Sequence, residues 1–171
     1  MFVLYIIILI IFLIFCGGLW DAPWLPTRKQ NFKRIANLIK KNNQPVFYDL
    51  GSGNGDLLFY LSREHNIKCV GIEVSPILYL YSKFKSFFDK NVAIRYGDFF
   101  NYNLEGADIV YCFIKSEAYP KLKEKMKKEL KKETIIILSC WPFKKVKPFK
   151  VSKLEKSNTF YSYRKKDIDF S

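Results

Sequence analysis

Asp49, Gly51, Ser52, Gly53 and Gly55 lie in the run Asp49-Leu-Gly-Ser-Gly-Asn-Gly-Asp56, and two more carboxylates, Glu73 and Asp98, follow it. The run comes after a strand-like stretch and opens a helix-like one. In that context a glycine-rich turn lets the backbone approach a ligand closely, with a helix N-terminus facing it. Glu73 ends the next strand-like stretch, where an acidic group accepts both hydrogen bonds of a ribose diol. Asp98, in Gly97-Asp98-Phe99, follows the third. A carboxylate there can meet an adenine amino group, and the Phe99 ring can flank the base. Asp49 discriminates between ligands. Dinucleotide sites use GxGxxG and avoid a carboxylate facing two phosphates, whereas this chain has GxGxG preceded by Asp49. A carboxylate at that strand mouth suits a ligand that carries positive charge.

The elements that must position these residues follow from periodicity. Arg28 to Lys41 places Phe32, Ile35, Ala36, Leu38 and Ile39 at helical spacing. Val46–Leu50 reads as a strand, Asp56 to Glu64 as a helix and Lys68 to Val74 as a strand. Pro76 fits the first turn of a helix reaching about Phe88. Val92 to Tyr96 and Asp108 to Ile114 read as strands, and Glu117 to Lys131 as a charged helix with Leu122, Met126 and Leu130 on one stripe. Thr134 to Cys140 is a fully apolar strand, and Phe149 to Leu154 with Thr159 to Arg164 reads as a terminal hairpin. Strands alternating with helices predict a mainly parallel sheet covered on both faces.

Met1 to Trp20 has no charged side chain, and twenty residues at about 1.5 Å each span roughly the 30 Å of a hydrocarbon core. Phe15-Cys16-Gly17-Gly18 is a poor cleavage site and no basic residues precede it, so a retained transmembrane anchor is expected. Arg28, Lys29, Lys33, Arg34, Lys40 and Lys41 follow, which places the body of the chain in the cytoplasm. Residues 1–20 are thus read as the anchor, 21–27 as a connector stiffened by Pro23 and Pro26, and 28–171 as the catalytic domain. The net charge of +13 is spread along the chain and alternates with Glu124 and Glu129 where lysine is densest. Cys16, Cys69, Cys112 and Cys140 form no CxxC pair, and His65 is the only histidine. Buried free thiols and no metal site are expected.

On the Asp49 to Asp56 run with Glu73 and Asp98, the chain resembles the class I, Rossmann-like S-adenosylmethionine-dependent methyltransferases over about Val46 to Cys140. More narrowly, the apolar N-terminus, Pro23-Trp24-Leu25-Pro26-Thr27, DLGSGxGD, GIE and GDFF are similar to the small membrane-anchored protein-lysine methyltransferases of the FAM173 type and their prokaryotic relatives. The resemblance implies S-adenosyl-L-methionine held by Asp49, Gly51, Ser52, Gly53, Gly55, Glu73, Asp98 and Phe99. It also implies that Trp24, Pro26 and Thr27 close over cofactor and target lysine. Relatives tend to carry a proline-containing loop after the fourth strand; here the chain reads Tyr111-Cys-Phe-Ile-Lys-Ser-Glu117.

A lysine amine would attack the sulfonium methyl in line and release the cofactor's thioether, so the protein supplies orientation and loss of the amine proton. Tyr111 is the candidate wall or hydrogen-bond partner on the acceptor side. The chain lacks the Asn/Asp-Pro-Pro-aromatic motif of base-amine methylation and the Pro-Cys nucleophile of pyrimidine-carbon methylation. No nucleic acid is therefore expected, and the resemblance implies a protein substrate. Two alternatives stay open: methylation of a membrane-associated small molecule such as a quinone precursor or lipid headgroup, and a basic RNA methyltransferase or noncatalytic binding module.

Overall fold

Side chains of the parallel strands alternate between two apolar layers, so helices must cover both faces. The computed structural model describes residues 2–9, 27–39 and 44–168. Its elements are α1 (Lys29–Ala36), β1 (Val46–Leu50), α2 (Asp56–His65), β2 (Lys68–Glu73), α3 (Pro76–Ser86), β3 (Val92–Tyr96), β4 (Ile109–Cys112), α4 (Tyr119–Glu129), β5 (Ile135–Ser139), β6 (Lys150–Ser152) and β7 (Phe160–Arg164). The sheet runs β3-β2-β1-β4-β5-β7-β6, parallel from β3 to β5. β7 joins antiparallel to β5 and pairs antiparallel with β6. This is the expected Rossmann-like architecture with its C-terminal hairpin.

One apolar layer joins Phe47, Cys69, Ile94, Ile109, Tyr111 and Ile137 to Phe32 and Ile35 of α1 and Leu57, Leu58 and Leu61 of α2. The opposite layer joins Leu50, Ile72, Val110 and Leu138 to Tyr119, Leu122 and Met126 of α4. Because β1 lies at the centre and the strand order reverses beside it, the crevice at its carboxyl end is the place such sheets offer to a ligand.

Helix α1 is tied to the hairpin by one side chain. The Arg34 guanidinium donates to Ser152 O (2.7 Å), Asn158 O (2.9 Å) and Asn31 Oδ1 (2.8 Å), and it stacks 4.7 Å from the centre of the Phe160 ring. Planar, multidentate bonding of this kind is where arginine differs from lysine. It fixes the helix that follows Thr27.

Several boundaries differ from expectation. α1 ends at Ala36 and continues only as turns to residue 39. α4 starts at Tyr119 instead of Glu117, because Pro120 takes its first turn and residues Ser116–Ala118 form a separate 3-10 turn. Cys140 falls just beyond β5 with φ 73 and is half-buried, while Cys69 and Cys112 are buried free thiols as expected.

Of the expected anchor, residues 2–9 are helical with exposed apolar side chains. The rest of it, Cys16, and the connector through Trp24 and Pro26 lie outside the described residues. Among the described residues no helix is long and apolar enough to cross a membrane.

Candidate functional site

Strand register builds the floor of the site. Asp49 pairs with Gly71 of β2 on one side and with Tyr111 of β4 on the other. The three therefore share a row and a face, at the sheet's central strand. Asp49 is buried, and its carboxyl is pushed up to about 8, first by burial and second by the charge of Glu73. Burial and the neighbouring negative charge disfavour the ionised Asp49 carboxylate until a cation arrives.

The glycine loop is lashed to β2. Gly51 N and Ser52 N both donate to Ile72 O, at 2.9 and 3.0 Å. Glu73, buried at the end of β2, accepts from Gly53 N at 2.6 Å with one oxygen and from Ser75 N at 2.8 Å with the other. Glu73 thus fixes the loop's shape as well as offering a carboxylate at the ligand crevice. Gly51 has φ +89, and a Cβ on it would enter open space with nothing within 4 Å. Gly55 caps α2 in the left-handed conformation, and Asp56 at the first turn holds Lys85 at 2.7 Å.

Gly71 is a residue that motif reading missed. A Cβ there would lie 2.5 Å from Leu58 Cδ1 and 2.6 Å from Ser52 Oγ, so only glycine lets the loop sit on the sheet. The available signal was a lone glycine inside a strand, which marks close backbone approach.

Asp98 is half-buried and its Oδ1 accepts from Phe100 N at 2.9 Å, capping the 3-10 turn Phe99–Asn101. The Phe99 ring lies tilted against Phe100, with centres 4.5 Å apart, and leans on the apolar layer of Leu50 and Ile72. Both stand after β3, on the same edge of the sheet as Glu73, with which Gly97 N bonds through the Glu73 carbonyl at 2.9 Å.

On the other flank, Tyr111 is buried between Phe47 and Phe160, with ring centres 6.2 and 6.4 Å away. Its hydroxyl shares a 3.1 Å hydrogen bond with Thr27 Oγ1. Burial first, then the Asp49 charge, pushes the phenol well above its ordinary value. It therefore stays protonated and serves as a hydrogen-bonding group, not a base. Asn158 Nδ2 donates to Ser139 Oγ at 3.1 Å, adding the hairpin to the same flank. His65 lies at the end of α2 against the Tyr60 ring, far along the sheet from these groups. Among the described residues no group of His, Cys, Asp and Glu could hold a metal ion.

The donor set fits a cationic nucleoside-like cofactor. It has a buried carboxyl at the strand mouth, a glycine cradle that a Cβ at Gly51 would fill, and a buried Ser52 hydroxyl with no hydrogen-bond partner. The fold and this site define a class I S-adenosylmethionine-dependent methyltransferase. A family profile described as the ANTKMT methyltransferase domain matches residues 49–150, and the chain belongs to that family. A protein-lysine N-methyltransferase of Saccharolobus islandicus (strain REY15A) is 28% identical over 149 residues, covering 83% of this chain and 92% of that one. The crystal structure of an RNA methyltransferase from Salinibacter ruber in complex with S-adenosyl-L-homocysteine superposes with TM-score 0.77 at 26% identity, covering 82% and 93% of the two chains. A SAM-dependent methyltransferase from Thiobacillus denitrificans, also with S-adenosyl-L-homocysteine, shares the fold at TM-score 0.59 and 20% identity, covering 78% and 56%. S-Adenosylmethionine is the cofactor.

Proposed function

We propose that this methyltransferase acts on lysine side chains of proteins at the cytoplasmic surface of a membrane, with residues 1–20 as its anchor. The observation that carries the acceptor side is the bond between Thr27 and Tyr111. It brings Thr27 onto β4 at Tyr111, the register partner of Asp49. The name of the Saccharolobus islandicus relative supports lysine as the acceptor. The uncharged N-terminus supports the location.

When bound, the cofactor supplies a methyl group already activated on a sulfonium. Asp49 holds the positive end, Glu73 the ribose, and Asp98 and Phe99 the adenine. Gly51, Ser52, Gly53 and Gly55 form the backbone cradle. Phe113 and Trp141, 6.4 Å apart just beyond β4 and β5, offer an aromatic slot for the acceptor chain. Desolvation of an amine held against these rings would favour its neutral, nucleophilic form. Trp24, Pro26 and Thr27 would close the slot against water, as the resemblance implies, and Tyr111 holds Thr27 in place.

Tyr111→Phe removes that hold without altering the packed ring. The loss of ~1 kcal/mol raises the acceptor KM about fivefold and leaves cofactor affinity unchanged. Steady-state kinetics beside calorimetric cofactor titration reads both; an unchanged acceptor KM would take the hydroxyl out of the account.

An RNA acceptor is the second reading, favoured by the Salinibacter ruber neighbour and by the charge of +13. Incubating the full chain with labelled cofactor and three separate pools (membrane proteins, lipid extract, total RNA) decides. Label in protein supports lysine methylation, label in lipid supports a small membrane acceptor, and label in RNA alone refutes the proposal.

A further inference from the structure

Helix α3 is inside out. Its buried residue is Ser82, whose hydroxyl turns back to Leu78 O (2.8 Å) and Tyr79 O (3.1 Å), and whose Cβ sits against the Gly55 turn. Tyr79 leans on Tyr96 of the edge strand β3, with ring centres 5.2 Å apart. The large apolar side chains instead point away from the protein. Ile77, Leu80, Tyr81, Phe84, Phe87 and Phe88 form one exposed stripe, and Phe84, Phe87 and Phe88 are between 64% and 75% exposed. The spacing i, i+3, i+4, i+7 that normally faces a core here faces outward. A contiguous apolar face of this kind marks an interaction surface.

Charge on the stripe selects the partner. Its acids are neutralised from within: Asp56 by Lys85 at 2.7 Å, and Asp89 by Arg63 at 3.6 Å. Lys83 and Lys90 make no ion pair among the described residues, and Lys83 Nζ lies 5.8 Å from the Phe87 ring centre. The face is therefore aromatic and aliphatic with a positive fringe. A second copy would bring lysine against lysine. Aromatic residues on one side with lysines at the margin, on a helix about 16 Å long, suit the headgroup region of an anionic bilayer.

We propose that the α3 face, continued through Phe87 and Phe88, docks on an anionic lipid surface as an interfacial helix. It would act as a second membrane contact beside the N-terminal segment. The proposal rests on the membrane location given above, and it adds orientation. α3 begins three residues after Glu73, so its N-terminal end is adjacent to the cofactor cradle. With that face on the lipid, the crevice stands at the bilayer edge and not away from it.

The full chain, carrying photoreactive p-benzoylphenylalanine in place of Phe84 or Phe88, is incubated with vesicles of about three parts phosphatidylcholine to one part phosphatidylglycerol. Lys128, exposed on α4, provides the control position. Cofactor titration verifies that each labelled chain is folded. Lipid adducts are expected at both α3 positions, several-fold above the control and reduced several-fold when phosphatidylglycerol is omitted. Cross-linked homodimers would show that a second copy covers the face. Adducts to another protein, or adducts no more frequent than at Lys128, would equally overturn the proposal. Flotation of the same samples separates the two ideas. A chain that floats without lipid adducts at α3 keeps its membrane location and loses this contact, whereas a chain that does not float loses both.

Discussion

Asp49→Asn is expected to abolish useful cofactor binding and, at the same time, to make the cofactor-free protein more stable. The first effect follows from the buried position of Asp49 at the mouth of β1. A hydrogen-bonded carboxylate facing a cationic ligand group contributes ~3 kcal/mol, so affinity falls about 100-fold. The second follows from the raised carboxyl. Folded, Asp49 gives up its proton only near pH 8; unfolded, it does so near the usual ~3.9. Between those values the folded state holds a proton that the unfolded state has shed. Stability therefore falls as pH rises through that window, and the whole penalty is present above pH 8. Asparagine carries no such penalty. The variant should melt higher than the parent, with a gap that widens from pH 5 to pH 8; each 1 kcal/mol corresponds to about 2–4 °C in a domain of this size.

The same proton links cofactor binding to pH. Association needs the ionised carboxylate, so below about pH 8 affinity should rise with pH, by at most about tenfold per unit, as Asp49 gives up its proton. The α-ammonium of the cofactor itself titrates near ~8. The slope is therefore read as the difference between parent and Asp49→Asn in calorimetric titrations. Parallel slopes for the two proteins would refute the assignment.

Gly71→Ala is the second large effect, and it acts through shape alone. The added methyl would meet Ser52 Oγ at 2.6 Å, Ser52 Cβ at 2.8 Å and Leu58 Cδ1 at 2.5 Å. Leu58 is fully buried and has little room to move. Overpacking of this kind costs ~1–3 kcal/mol. The loop must also lift from β2, which strains the bonds of Gly51 N and Ser52 N to Ile72 O and of Gly53 N to Glu73. We expect a lower Tm together with a cofactor affinity reduced tenfold or more. A variant with parental affinity would show that the loop does not depend on the sheet for its shape.

The elements holding the cofactor residues were legible because each is written twice in the chain. β1 and β3 are short apolar runs bounded by turn residues, and glycine and aspartate follow each of them. Pro76 marked the start of α3, but the same signal at Pro120 was passed over, and α4 was expected two residues too early. Glu73 stands at the end of β2, where its spacing puts it, yet its bond to Gly53 N depends on how the loop folds back over β2, which spacing alone does not contain. Arg34 read as one basic residue among several flanking an anchor. Its real partners, Ser152 and Asn158, lie more than a hundred positions away, and only the closed hairpin brings them together. The outward face of α3 was hidden for the opposite reason: its helical periodicity was visible, and periodicity is silent about which side meets the sheet.

Lysine methylation at a membrane surface is the central claim, and one measurement addresses it directly. The full chain and its Asp49→Asn variant are each incubated with S-adenosylmethionine and washed membranes, and the digested proteins are analysed by mass spectrometry. The account predicts methylated lysine in membrane-protein peptides with the parent chain and none above background with the variant. Methyl transfer confined to lipid or RNA, or lysine methylation equal in both samples, would contradict it.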